Sequence, residues 1–207
     1  MKNDILITGA NGFIGSRIKG GRKYYGDILS IGDMLNATKG MKGIIHLAAR
    51  SNKRKCDNDP SACIASNVVG LLNILNVATV KGMWVLFVST HQVTENHLYG
   101  LSKLMGEELC RLFNARGLRV YILRLPIVYG KGESEDKVVS RTIAKMKRGI
   151  VPKAESNGMF HFFYVDDVIN MIEKEVAFIG DISKVKKYSF RDLTDGIKEM
   201  LHGKKKK

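Results

Sequence analysis

The sequence predicts an α/β chain organised as a doubly wound parallel sheet, and three observations carry that prediction. Short apolar runs rich in β-branched residues recur at 4–8, 43–49, 84–90 and 119–126; stretches of helical periodicity lie between the later runs; and a glycine triplet, Gly9, Gly12 and Gly15, follows the first run directly. An unbroken apolar run marks a strand buried on both faces. Strands alternating with helices build a parallel sheet through right-handed crossovers.

Taken in order, "DILIT", "GIIHLAA", "WVLFVST" and "RVYILRLP" supply four strands. The segment between the second and third is apolar at helical spacing over 62–80 and stops at Gly82; the helix expected over 99–115 is closed by Gly117. Glycine suits both ends because the residue after a helix often adopts a left-handed conformation. Beyond Gly130 the pattern loosens. A helix is expected in "EDKVVSRTIAKMKRG", a strand end running into a helix in "FHFFYVDDVINMIEKEV", a short strand in "AFIGD", and a terminal helix in "YSFRDLTDGIKEML" with Ser189 as its N-cap.

The chain has 207 residues, 44% of them hydrophobic, enough to bury one substantial core as a single domain over 1–207, followed by a basic tail at 203–207. Its net charge of +14 is spread along the whole length, clustering only at 53–55, 145–148 and the tail. Without an aromatic-interleaved basic motif, that charge suits solubility and attraction of anions rather than nucleic-acid binding. Cys56, Cys63 and Cys110 are odd in number and lack metal-type spacing, so neither a disulfide framework nor a zinc site is expected, which fits a reducing cytoplasm. No apolar run reads as a signal sequence or a bilayer span, so no membrane association is expected.

The glycine spacing has a steric reading. Gly9 makes a tight turn, Gly12 lets backbone approach a pyrophosphate, and Gly15 packs a helix closely on the strand, so that the helix N-terminus faces the phosphates. That makes the fold Rossmann-type.

These residues carry a family resemblance. "ILITGANGFIGSRI", "IIHLAA", "NVVGLLNIL", "VLFVST", "YGLSK", "LRLPIVYGKG" and "FFYVDDV" follow one another in the order of the extended short-chain dehydrogenase/reductases, and the chain is similar to their NAD-dependent epimerase/dehydratase branch from Ile5 to Leu201. The resemblance implies an enzyme that oxidises, reduces or epimerises a nucleotide-activated sugar by hydride transfer, with NAD or NADP as cofactor. It also implies small substrate-binding elements within 131–165 and 180–201, and a homodimer paired through helices 62–80 and 99–115, with Met105, Leu109 and Leu112 as interface or core residues.

Residue by residue, the resemblance places Thr8, Gly9, Asn11, Gly12, Phe13, Ile14 and Gly15 around the pyrophosphate, and Asp27 and Ile28 beside the adenine. Leu47, Ala48 and Ala49 pass under the ribose and nicotinamide. Asn67 matches the buried asparagine of an "N-x-x-G" motif, and Pro126 to Val128 border the nicotinamide. Thr90, rather than Ser89, matches the strand-end hydroxyl that donates to the substrate oxygen.

Tyr99 and Lys103, four apart, share one helical face. An unperturbed phenol, with a pKa near 10, is a poor base at neutral pH. A lysine ammonium roughly 5 Å away, at an effective dielectric of about 20, would favour the phenolate by about 3 kcal/mol, or about two pKa units. Oxidised nicotinamide adds a second positive charge, and Lys103 has the further task of bonding the nicotinamide ribose. Tyr99 is thus the expected acid/base. His46 reads as a core histidine, while His91 and His97 flank the site. Asp166 and Asp167 suit a helix N-terminus better than a metal.

Three departures from the family pattern stand out. Only ten residues separate Gly15 from Gly26, too few for a first helix, a second strand and its following helix, and the acid that holds the adenosine ribose is missing. Arg17, Arg22 and Lys23 lie there instead, a basic neighbourhood suited to the ribose phosphate of NADP. The interval from Thr90 to Tyr99 is short, and Phe160 and His161 stand where a phosphate-binding arginine is usual, leaving Arg141, Lys145 or Lys147 as alternatives. A second reading follows: a catalytically reduced, dinucleotide-binding relative with a redox-sensing or nucleic-acid-associated role.

Overall fold

The computed structural model describes residues 3–150, 159–160, 162–174 and 188–189. The chain divides into two compact units, Met1–Leu125 with Ile169–Gly180, and Pro126–Val168 with Asp181–Lys207. In the first unit β1 (Ile5–Thr8), β2 (Arg22–Lys23), β3 (Gly43–His46), β4 (Trp84–Thr90) and β5 (Val120–Leu125) form one parallel sheet in the order β2-β1-β3-β4-β5. The four expected strands are β1, β3, β4 and β5. Every residue of β1 and β3 is buried, as unbroken apolar runs require.

Thr8, His46 and Phe87 lie side by side across the sheet, while β4 continues three residues further to Thr90, opposite Leu125. Thr90 therefore sits at the carboxyl edge, where an open parallel sheet places its ligands.

The helices have legible starts. Ser30, Asn52 and Asp59 each accept a backbone N–H, capping α1 (Ile31–Ala37), α2 (Lys53–Asn58) and α3 (Pro60–Ile64) in turn. A π-helical stretch, Ala65–Val69, joins α3 to α4 (Gly70–Lys81), and Gly82 ends α4 in a left-handed conformation at φ 65°. The next helix, α5 (Leu98–Ala115), packs with α4 and the sheet around a core that includes Leu6, Ile44, Leu71, Ile74, Leu75, Phe87 and Phe113.

The continuous run Pro60–Lys81 is long and apolar enough by length and composition to cross a membrane, contrary to the sequence expectation. Half of its most apolar window is buried inside the protein, and Leu71, Ile74 and Leu75 are core residues, so internal packing accounts for its apolarity.

Cys56 and Cys63 also correct an expectation, because they form a disulfide. The physical reason is local: α2 and α3 are joined through Asp59 alone, which folds the seven-residue separation back to a Cα–Cα distance of 5.0 Å. The odd cysteine is buried Cys110. By the chain-entropy account a loop of this size stabilises the fold by about 2 to 3 kcal/mol. Urea unfolding with and without reductant should differ by that amount; coincident curves would mean that the bond contributes nothing.

In the second unit β6 (Ile127–Tyr129) pairs in parallel with β8 (Phe162–Tyr164), β7 (Met159–Phe160) pairs antiparallel with β9 (Tyr188–Ser189), and α6 (Val138–Lys147) lies between β6 and β7 in the chain. Ser189 is thus a strand residue here. The "AFIGD" strand, the terminal helix beyond Ser189 and the basic tail fall outside the described residues. Asp166 and Asp167 occupy the first turn of α7 (Val165–Lys174), where carboxylates oppose the helix dipole.

Candidate active site

The glycine loop is compact. Gly9, at φ 70°, bends the chain out of β1, and a Cβ there would stand 2.6 Å from Ala48 N. A Cβ on Gly15 would stand 2.2 Å from Gly9 O, so Gly15 packs on the loop's own first residue. Gly12 N donates to Gly9 O at 2.9 Å, and Asn11 and Gly12 are exposed. Phe13 and Ile14 are half-buried. A loop in which side chains are excluded and whose tip faces outward fits the approach of a diphosphate to main chain.

The loop does not open the expected helix. It enters a single 3-10 turn, Gly15–Arg17, and the chain returns at once as β2. The ten residues before Gly26 leave no room for more. Ile18 is extended, at φ −63° and ψ 121°.

The three basic residues offered for a ribose phosphate have other work. Arg17 donates to Phe13 O and lies 4.5 Å above the Phe13 ring. Arg22 bonds Ala37 O and Lys39 O, and Lys23 bonds Gly15 O and Ile18 O. Each meets carbonyls left bare at a truncated turn or a helix end, so the argument for NADP loses its basis.

Asp27 is exposed and its carboxylate accepts Leu29 N at 2.9 Å, while Ile28 is buried against Gly70, where a Cβ would meet Ile28 Cδ1 at 2.5 Å. Leu47, Ala48 and Ala49 are half-buried where β3 ends, and Ala48 N donates to Thr8 Oγ1 at 3.3 Å. His46 Nδ1 lies 2.8 Å from the same hydroxyl. Burial, with Lys103 nearby, drops the His46 pKa to about 3, so the ring is neutral, and its Nε2 has no hydrogen-bond partner.

Asn67 is buried in the π-helical stretch and ties two parts of the site together. Its Oδ1 accepts Arg50 N at 2.7 Å; its Nδ2 donates to Arg50 O at 3.2 Å and to Ser102 Oγ at 2.9 Å. Ser102 Oγ in turn donates to Tyr99 O at 2.8 Å. The segment leaving β3 is therefore coupled to the first turn of α5. Cys63 Sγ lies beside this network, 3.5 Å from Asn67 Nδ2.

Thr90 is buried, and its Oγ1 accepts Gln92 N at 3.3 Å. The same hydroxyl lies near enough to the Tyr99 phenol to favour the phenolate. The sequence reading expected Thr90 and Tyr99 to act together. It erred on the electrostatics: burial pushes the Tyr99 phenol up to about 12, against the lowering effect of the nearby Thr90 hydroxyl. Lys103 is buried with its Nζ 4.1 Å above the Phe87 ring, and burial lowers its pKa to about 7 against the pull of Cys110 and Glu107. Low dielectric costs both charges. The protein alone does not activate the phenol. Pro126 and Val128 belong to the second unit, Val128 within β6.

The roles of two groups escaped the sequence reading. His97 is the N-cap of α5, its Nδ1 accepting Gly100 N at 2.9 Å while Nε2 bonds Glu95 Oε2 at 3.1 Å. Its ring stacks on Tyr99 with 6.1 Å between centroids. Gly100 admits no side chain, because a Cβ would lie 2.3 Å from Gln92 O, and this close packing seats α5 on the short connection from β4.

The second is Glu107, whose side chain is 0% exposed. It receives Arg124 Nε at 2.7 Å and Nη2 at 2.6 Å, Ser89 Oγ at 2.6 Å and Arg111 Nη2 at 3.0 Å. Burial alone would raise its pKa, yet Arg124, Ser89 and Arg111 together hold it below the usual carboxylate range. A charged residue inside the apolar run "YILRLP" was the available signal, since a buried arginine stem calls for a carboxylate.

A parallel sheet, a glycine turn after its first strand, and a threonine ending β4 with a tyrosine and a lysine on the helix that follows accord with the extended short-chain dehydrogenase/reductase class. Within it, the model of the NAD dependent epimerase/dehydratase family matches residues 18–178, and the chain belongs to that family. A putative UDP-glucose 4-epimerase of Methanocaldococcus jannaschii is 30% identical over 250 residues, covering 95% of this chain and 82% of the relative. An alignment longer than the 207-residue chain means that the relative carries insertions, in keeping with the shortened segments seen here. A UDP-2-acetamido-2,6-beta-L-arabino-hexul-4-ose reductase of Pseudomonas aeruginosa is 27% identical over 82% of the chain, which spans 48% of that relative.

Solved structures agree on the fold. The UDP-glucose 4-epimerase of Thermotoga maritima with UDP-glucose superposes with a TM-score of 0.82 at 22% identity, over 100% of this chain and 84% of that one. The UDP-glucuronic acid 4-epimerase of Bacillus cereus, in complex with UDP-glucuronic acid and NAD, gives 0.80 at 23% identity over 99% and 84%.

Proposed function

We propose that the chain is an NAD-dependent oxidoreductase or epimerase that acts on a hydroxyl carbon of a nucleotide-activated sugar, with Tyr99 as its proton acceptor and donor. The placement of Thr90 at the carboxyl edge of β4, with Tyr99 following in the first turn of α5, carries this reading. That turn is joined by the Asn67–Ser102 link to the segment that Gly9 packs against. The curated relatives and solved complexes with UDP-sugars support the substrate class.

Bound NAD supplies the hydride acceptor and donor. The chain's own residues supply the rest. Thr90 orients the substrate hydroxyl and Tyr99 Oη exchanges its proton, which must leave as the carbon–hydrogen bond breaks. Lys103 is held in the interior one turn further along α5, its Nζ over the Phe87 ring. Gly9, Gly12 and Gly15 admit the diphosphate, and Leu47 to Ala49 border the ribose. Leu101, Met105 and Leu112 leave exposed apolar surface on α5, while Leu109 packs against the core. That surface supports a homodimer paired through α4 and α5.

Incubation with NAD and a panel of UDP- and dTDP-sugars, followed by nicotinamide absorbance and product analysis, tests the reading. A new sugar product or NAD reduction is expected. RNA binding at physiological salt without turnover on any sugar would favour the non-catalytic alternative instead, which the shortened glycine-loop region and the high Tyr99 pKa support.

A further inference from the structure

In a helix that follows a glycine loop, each carbonyl of the first turn accepts an N–H from the next turn, and this ladder fixes the loop's shape. Here the ladder is missing, since the 3-10 turn ends at Arg17 and Ile18 is already extended. The carbonyls of Gly15 and Ile18 need other donors.

One side chain supplies both. Lys23, the second residue of β2, sends its Nζ back to Gly15 O at 2.5 Å and Ile18 O at 2.6 Å. Its main chain is fixed in the sheet, with Lys23 beside Ile7 and Tyr24 N bonded to Ile7 O at 2.9 Å. The clamp therefore spans from the sheet to the end of the loop. Glu173 of α7 secures the far side, accepting Lys19 N at 2.7 Å. Gly15 leaves no slack, because even a Cβ there would stand 2.2 Å from Gly9 O.

We propose that Lys23 is a positioning residue for the dinucleotide loop, doing with one ammonium group what the hydrogen-bond ladder of a first helix does elsewhere. The inference rests on the proposed role of the loop in binding NAD. Its prediction about the loop itself can be tested without any cofactor. Two charge-assisted bonds from one donor hold the turn, and neither survives in Lys23→Met. Lys23→Arg retains a donor fork long enough to reach both carbonyls.

Hydrogen exchange of the cofactor-free protein and calorimetric titration with NAD and with ADP-ribose, on the wild type and both variants, decide the matter. In Lys23→Met the amides of residues 12–19 should exchange about tenfold faster or more, with the sheet amides unchanged. Both ligands should bind about tenfold more weakly or worse. Lys23→Arg should recover most of both effects. Wild-type exchange in the Lys23→Met loop would overturn the clamp, as would faster exchange with undiminished affinity. If Lys23→Met unfolds globally, Lys23→Arg still decides, because a folded arginine variant with an unprotected loop contradicts the proposal. Failure of the wild type to bind either ligand would overturn the cofactor reading itself, a result visible before any variant is made.

Discussion

Tyr99→Phe should lower turnover on the nucleotide sugar by about 10²- to 10⁴-fold, the range that a positioned acid/base contributes, while leaving the affinity for NAD within about twofold. The substitution removes one oxygen. The ring remains stacked on His97, and the capping bonds of His97 and Ser102 to the first turn of α5 involve main chain alone, so the helix start is unaffected. Thr90 keeps its bond from Gln92 N. Steady-state kinetics and calorimetry on the two proteins check both halves. Undiminished turnover in the variant would take the proton transfer away from Tyr99.

The largest stability effect is expected at Arg124. Its guanidinium grips both oxygens of fully buried Glu107, which also anchors Ser89 on β4 and Arg111 on α5. Arg124→Leu leaves a buried carboxylate short of its main counter-charge; with Arg124 itself 42% exposed and Arg111 and Ser89 still in place, the change costs about 2 to 4 kcal/mol. The pH dependence has a definite sign. With Glu107 held below its unfolded value, the wild-type cluster is stabilising above the ordinary carboxylate pKa and loses that contribution as pH falls through the folded pKa. In the variant, burial dominates and Glu107 prefers to be protonated, so acid relieves the penalty. Urea unfolding at pH 7 and pH 4 should therefore give a large difference between the proteins at the higher pH and a smaller one at the lower. A gap that widens in acid would contradict the assignment.

How much of this was legible beforehand depended on the kind of signal. Four of the sheet's five strands were plain in the sequence as apolar runs, and "WVLFVST" matches β4 residue for residue, whereas the polar β2 gave no such signal. Gly82 and Gly117 marked helix ends because both adopt positive φ. The placement of Thr90 at the end of a strand and of Tyr99 and Lys103 on the helix after it was readable because the apolar run and the helical spacing are both local signals.

What the sequence concealed was mostly nonlocal or short. A glycine triplet reads the same whether a helix or one 3-10 turn follows, and only the count of residues to Gly26 hinted at the difference. Arg17, Arg22 and Lys23 looked like a ligand site because composition records charge, not the carbonyls at which it is spent. The Cys56–Cys63 bond depended on how α2 turns into α3. Lys103 was expected to activate Tyr99 from its spacing alone, whereas burial governs both groups.

That reversal leaves the phenol dependent on the cofactor, and titrating it directly is the sharpest check. The absorbance of phenolate is followed as pH rises in the wild type and in Tyr99→Phe, with and without NAD, and the difference between the two proteins isolates this ring among the seven tyrosines. Free protein should show Tyr99 ionising only near the alkaline limit, in line with its rise to about 12, and bound NAD should bring the transition down toward neutrality. A transition that stays where it is when NAD binds would contradict an acid/base role for Tyr99.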